Sequence, residues 1–316
     1  MEQSQLIELI QELKTEEKDY VLQFSTLSYF NHGRMRAQVI PLLEICLNHP
    51  WHLSDQKLDK KNVYEKVFPD QAFVEGKLEK VMVEAHKVVR TFLLVHRYLR
   101  EENTFHQLLD LSEIVREQGL DNRYQQLMVK LQKIQTESPY VNTQFLRRQF
   151  LLEYSKYDDE SVRNQTKGDL NIPNTIFALE LDYVLNRLVL LNQFLLQQKI
   201  THLEVPETIS LLLEQNYLPS KYLEASACLK INYEISILLR KALPTHLDVR
   251  ALFDLLLLHE NDLDSKSLRE FYTYLRNFCL LALTADFEKV DLEYMLHELY
   301  RDNLERGYLH YEGKIS

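Results

Sequence analysis

The sequence predicts an all-α protein made of antiparallel helix hairpins stacked as an α-solenoid. Three observations carry that expectation. Only 6 Gly and 8 Pro occur in 316 residues, about a third of the usual ~12%, too few turn formers for a β-sandwich or barrel. Apolar residues recur at three- and four-residue steps through most of the chain. The breaks between these periodic segments are short, which makes neighbouring helices antiparallel.

The elements follow in order. Ile7 and Leu13 belong to a short first helix, and Tyr20 to Leu27 to a second. Pro41 marks the start or a kink of a helix carrying Val39, Ile40, Leu42, Leu43 and Ile45, which Asn48-His49-Pro50 ends. A polar stretch leads to Val63–Phe68, stopped by Pro69-Asp70. The clearest periodicity runs from Phe73 to Leu99, where Leu78, Val81, Met82, Ala85, Val88, Val89, Phe92, Val95 and Leu99 form a stripe opposite Glu79, Lys80, Glu84, Lys87 and Arg90. The next helix carries Leu108, Leu109, Leu111, Ile114 and Val115, with Gly119 placed for a left-handed C-terminal cap. Asp121 or Asn122 caps a further helix with Leu127, Met128, Leu131 and Ile134, closed by Ser138-Pro139.

Tyr157 to Pro173 has almost no apolar residue, and Asp158-Asp159-Glu160-Ser161 opens it. It reads as a loop or linker, dividing residues 1–157, an N-terminal helical module, from residues 174–316, a set of helical-hairpin repeats, with 158–173 between them. One continuous solenoid with a long inter-helix connection is the alternative. Beyond this stretch a strongly apolar helix spans about Asn174 to Gln198, wide enough in its apolar stripe to be contacted on two sides. A shorter helix opens with Pro206 and continues through Ile209, Leu212 and Leu213. Helices then read over Ala227–Ala242, Thr245–His259, Ser265–Leu283 and Phe287–Arg306.

Charge is uneven along the chain. The net charge is −10, with residues 1–158 near −2 and residues 159–316 near −8. A polyanion or an anionic bilayer is repelled by the second half. The basic doublets Arg34/Arg36, Lys60/Lys61 and Arg147/Arg148 are ordinary for a solvated surface of this size, so nucleic acid is not the expected partner. Three cysteines, Cys46, Cys228 and Cys279, are odd in number and far apart, which fits a reducing compartment. Met1-Glu2-Gln3-Ser4-Gln5 lacks a secretory n-region, and the longest apolar runs fall far short of ~20 residues. The expectation is a cytoplasmic protein with no membrane insertion.

The stretch Ser265–Leu309 pairs a helix carrying Phe271, Tyr272, Leu275, Phe278 and Ala282 with one carrying Tyr294, Leu296, Leu299, Tyr300 and Leu304. It resembles a degenerate tetratricopeptide-type hairpin, with bulky Leu, Tyr and Phe at most positions where that pattern wants small residues. The whole chain also resembles a family of uncharacterised bacterial helical-repeat proteins. The residues that carry this are Leu181-Asp182-Tyr183 opening a long helix, and Arg306-Gly307-Tyr308-Leu309 followed by Glu312-Gly313-Lys314. The resemblance rests on helix-packing residues; it implies a fold, a tetratricopeptide-like array, and carries no information about activity. In that family further helices follow the Glu-Gly-Lys element, which implies that this chain is the front portion of a longer array.

Chemistry-bearing motifs are sparse. Cys46, His49 and His52, spaced C-x2-H-x2-H, form the densest ligand group; zinc would need Asp55 or another fourth ligand beside them. The bland alternative is a core thiol next to two loop histidines. His259-Glu260 and His297-Glu298 lack the second histidine of a zincin helix, because Leu263 and Arg301 stand four residues on. No G-x-S-x-G or phosphate-binding glycine loop occurs, and Ser226 and Ser236 have no paired base nearby in sequence. No catalytic set and no cofactor is therefore expected. Tyrosine is abundant, 18 in all against one Trp, and it pairs apolar area with a polar tip. The expected partner-binding residues are Tyr272, Tyr294, Tyr300 and Tyr308 with the acids Asp286, Glu288 and Asp291. These residues point to a basic or apolar protein or peptide. The function expected is a non-catalytic interaction or scaffolding role, with a metal-dependent enzyme or a nucleic-acid-binding helical protein as the alternatives.

Overall fold

The computed structural model describes residues 4–51, 58–163, 170–201, 203–207, 209–210, 218–284, 289–308, 310–311 and 314–315. Among them the chain is all-helical apart from one short ladder, in which His310–Tyr311 pairs antiparallel with Lys314–Ile315. It divides into two compact units, Met1–Gln107 and Leu108–Ser316.

In the first unit, α1 (Gln5–Gln11), α2 (Thr15–Thr26), α3 (Arg36–Asn48), α4 (Lys60–Val67) and α5 (Lys77–Tyr98) share one core. Side chains supply the orphan N–H acceptors at two starts: Ser4 Oγ accepts from Ile7 N, and Asp59 from Lys61 N and Asn62 N. Pro41 sits inside α3. The stripe of α5 is buried from Leu78 to Phe92 but stops there: Leu99, expected to complete it, is exposed.

The second unit holds most of α6 (Thr104–Glu117), then α7 (Asp121–Thr136), α8 (Thr143–Arg163), α9 (Ile172–Thr201), α10 (Ser220–Ala225), α11 (Ala227–Arg240), α12 (His246–Leu258), α13 (Ser265–Leu283) and α14 (Lys289–Glu305). Between α6 and α7, Gly119 takes φ 70° and Leu120 N donates to Val115 O, the left-handed cap its position predicts. From α7 onward consecutive helices form packed pairs: α7 on α8, α8 on α9, α11 on α12, α12 on α13 and α13 on α14. Helix α9 also packs on α11, so its wide apolar stripe is covered from two sides, although Leu179 and Leu190 remain exposed. One contiguous core runs from Leu146 to Leu299. In the segment expected to hold the helix begun by Pro206, Leu212 and Leu213 lie outside the described residues.

The expected domain boundary does not fall at 158–173. Helix α8 continues through Asp158-Asp159-Glu160 to Arg163, and α9 opens at Ile172 against it. Asn171, at φ 58°, donates its amide to Glu153 O and Glu153 Oε2, and Thr175 Oγ1 donates to Glu153 O. The acids that read as a linker belong to the last turns of a helix. Asp158 pairs with Arg116 of α6, and Asp159 is buried. Polarity misleads here because helix ends docked on neighbours satisfy charge by tertiary pairing. The division falls at Gln107/Leu108 instead.

Candidate functional site

The tyrosines singled out in the sequence do not form one surface. Tyr272 is 1% exposed in the core of α13. Its hydroxyl donates to Asp302 of α14; Arg306 donates to Asp302 from Nε at 2.8 Å and pairs with Glu260 through both terminal nitrogens. Burial, then the Asp302 carboxylate, holds the Tyr272 hydroxyl far above its ordinary value; the Glu260 and Asp302 bonds keep Arg306 charged. Tyr308 stacks obliquely on Tyr272 at 5.7 Å. These residues clamp α13, α14 and the Glu260–Asp262 turn together, so Tyr272 offers nothing to a partner. Tyr300 is partly covered by the Arg276 guanidinium, 5.8 Å above its ring. Tyr294 is 74% exposed on the outer face of α14, and Asp291 is exposed one turn earlier. Asp286 and Glu288 lie outside the described residues.

In the C-x2-H-x2-H group, Cys46 is fully buried, and burial pushes its thiol up to about 12. The Trp51 indole donates to Cys46 O at 2.9 Å, and the His49 ring meets Trp51 edge-on at 4.4 Å. His52 and Asp55 lie outside the described residues. Among the described residues no group of three or more His, Cys, Asp and Glu side chains could hold a metal ion.

Ser226, His259 and Asp262 line one pocket of about 600 Å³. His259 Nδ1 and Asp262 Oδ2 are 3.1 Å apart, which superficially offers a base and its orienting acid. The serine does not complete the set. Its hydroxyl donates to Val141 O at 2.6 Å and accepts from Leu229 N as the cap of α11, so its proton is committed to a backbone carbonyl. Ser226 is a structural cap.

A groove in the second unit was missed by sequence reasoning. Two adjoining hollows of about 550 and 540 Å³ share Thr143, Gln144 and Asn186. On α9 the lining positions Asp182, Asn186, Val189 and Gln193 recur at steps of four, three and four, which places them on one helix face. The start of α8 contributes Asn142, Gln144 and Arg147; α11 contributes Cys228 and Asn232; α13 contributes Asp264, Ser267 and Glu270.

Most polar groups in this groove are already engaged. Asp182 accepts from Arg147 Nη1 at 2.9 Å and Asn186 Nδ2 at 2.8 Å. Asp264 accepts from Asn142 Nδ2 at 2.6 Å and Ser267 N at 2.8 Å; burial alone would push its carboxyl up, and these bonds hold it below its ordinary value. Asn232 donates to Cys228 O, and burial pushes the Cys228 thiol up to about 12. The side-chain amides of Gln144 and Gln193 form no hydrogen bond to another described residue. Glu270 has only Lys266, 4.0 Å away and 88% exposed, and burial raises its carboxyl above the usual range. What the groove offers includes the amides of Gln144 and Gln193, the open carbonyl end of Asn186, the Thr143 hydroxyl, the Glu270 carboxylate and the exposed Lys266 ammonium. Those groups do not assemble a nucleophile, a base and an oxyanion donor. The signal in the sequence was the row of Asp182, Asn186 and Gln193 on α9, interrupted by Val189, which a solvated helix face would show equally well.

Compared with family models, curated proteins and solved structures, the chain matches none. No described helix is long and apolar enough to cross a membrane.

Proposed function

We propose that this protein is a non-catalytic binding or scaffolding protein, and that its second unit holds a segment of a partner protein in the groove walled by α8, α9, α11 and α13. The observation that carries the reading is the pair of unspent amides, Gln144 and Gln193, at the lip of a formed groove. Stacked helix pairs support it as well, because a tetratricopeptide-like array presents grooves of this kind to its partners. An odd set of three separated thiols suits the cytoplasm as its place of work.

A second reading has its own observation. Val290, Tyr294 and Leu304 on the outer face of α14 are 78%, 74% and 60% exposed, which suits a basic or apolar partner lying against α14 beside Asp291. A photo-crosslinking residue separates the two. Placed at Gln193 in the full chain, it should capture one discrete protein from the cells of origin, while the same residue at Tyr294 should capture none. Capture only from Tyr294 would move the site to α14, and capture from neither would remove the binding reading.

A further inference from the structure

We propose that the groove takes an extended peptide segment carrying one lysine or arginine, its backbone held by Gln144, Asn186 and Gln193 and its cationic side chain on Glu270. This deepens the binding reading above and rests on it.

The case for an extended backbone is one of chemistry and spacing. A carboxamide offers a donor and an acceptor together, the complement of a peptide unit, and an extended chain exposes both groups at every residue. A helical partner has spent those groups internally except at its ends, and could use such amides only there. At about 1.5 Å rise per residue, Asn186 and Gln193 stand about 10 Å apart along α9, the length of about three extended residues at ~3.3 Å each. From Asp182 to Gln193 the lining covers about 16 Å on the same rise, room for about five residues.

The case for a cation is one of unspent charge. Three carboxylates line the groove, and two are satisfied within the protein: Asp182 by Arg147 and Asn186, Asp264 by Asn142 and Ser267. Glu270 accepts no hydrogen bond from any described residue; Lys266, which lines the same hollow, is 4.0 Å away and 88% exposed, too far to donate. A half-buried carboxylate that lacks donors gains most from an incoming ammonium or guanidinium, and its raised hold on a proton expresses the same demand. Residues 108–316 carry 23 basic and 31 acidic side chains, so the second unit's own field attracts a basic segment and repels a nucleic acid.

The test begins by panning a displayed library of random, unstructured seven-residue segments against the full chain. Enriched segments should share a Lys or Arg at one position. A labelled synthetic copy is then titrated by fluorescence anisotropy beside its norleucine analogue. The lysine peptide should bind about tenfold more tightly to the wild type, and the Glu270→Gln protein should bind both alike. Asn186→Ala and Gln193→Ala should weaken both peptides several-fold, as should N-methylation of the peptide backbone, with circular dichroism unchanged in both variants and melting unchanged in Gln193→Ala. An undiminished preference for lysine in Glu270→Gln overturns the cation pairing and leaves the groove standing. Indifference to both Asn186→Ala and Gln193→Ala overturns the groove as well. Enrichment of helix-forming segments, segments without a shared basic residue, or no segments at all overturns the proposed occupant.

Discussion

Across 122 residues of sequence, Asn142 Nδ2 donates to Asp264 Oδ2 at 2.6 Å and joins the caps of two helices. Asn142 Oδ1 accepts from Phe145 N at the start of α8, while Asp264 Oδ1 accepts from Ser267 N at the start of α13. Each side chain caps its own helix and grips the other's cap, so the floor of the groove is set by one contact. Asn142→Ala and Asp264→Ala should each cost about 1–2 kcal/mol. In urea denaturation the double mutant should fall short of additivity by about 0.5–2 kcal/mol, the signature of a shared contact.

The Asp264 carboxyl also sets a pH dependence. Its folded-state value lies below the ordinary 3.8, so between the two the unfolded chain binds more protons than the folded one. The stabilisation is present above 3.8 and is lost as pH falls through the folded-state value. Melting temperatures from pH 6 down to pH 3 should therefore decline less steeply in Asp264→Asn than in the wild type.

All three thiols are buried, and burial raises each to about 12. A disulfide reagent at pH 8 should find no fast-reacting thiol in the native protein and three after denaturation. Above the ordinary value of 9.0 the unfolded chain loses thiol protons that the folded chain keeps, so stability falls as pH rises from there toward 12. Cys279→Ala should flatten that alkaline decline, measured as the shift in melting temperature between pH 8 and pH 10.

Between α9 and α11, Asn192 Nδ2 donates to Asn232 O at 2.8 Å, with both residues buried. Asn192→Asp removes the donor and buries a carboxylate among leucines. A loss of about 3 kcal/mol or more is expected at pH 7. It should shrink on acidification, because a protonated acid donates again; a loss that is constant between pH 7 and pH 4 would contradict this account.

Tyr272 and Tyr294 look alike in sequence and should behave oppositely. Tyr272→Phe deletes a hydrogen bond to the Asp302 carboxylate and should cost about 1.5–3 kcal/mol in chemical denaturation. Tyr294→Ala, on an exposed helix face, should stay within about 0.5 kcal/mol of the wild type.

The candidate site was far less legible than the helices around it. Gly119 and the stripe of α5 announce themselves because caps and apolar periodicity act within a few residues. Asn186 and Gln193 carry no such mark, since an amide on an outward face has the same local sequence whether water or a groove lies over it. The tyrosines make a related point: Tyr272, Tyr294 and Tyr300 are near in sequence and sit in different surroundings.

Composition and periodicity alone determined that this chain is all-helical, where most of its helices begin and end, and that α9 is covered on two sides, because those properties follow from interactions within one turn of backbone or from a single apolar stripe. Only the folded arrangement decided that the division lies near Gln107, that the acids after Tyr157 finish a helix, and that Glu270 is left with an unmet charge beside a row of amides. Those outcomes depend on which helix faces meet across distant parts of the chain, and no local pattern records the partner.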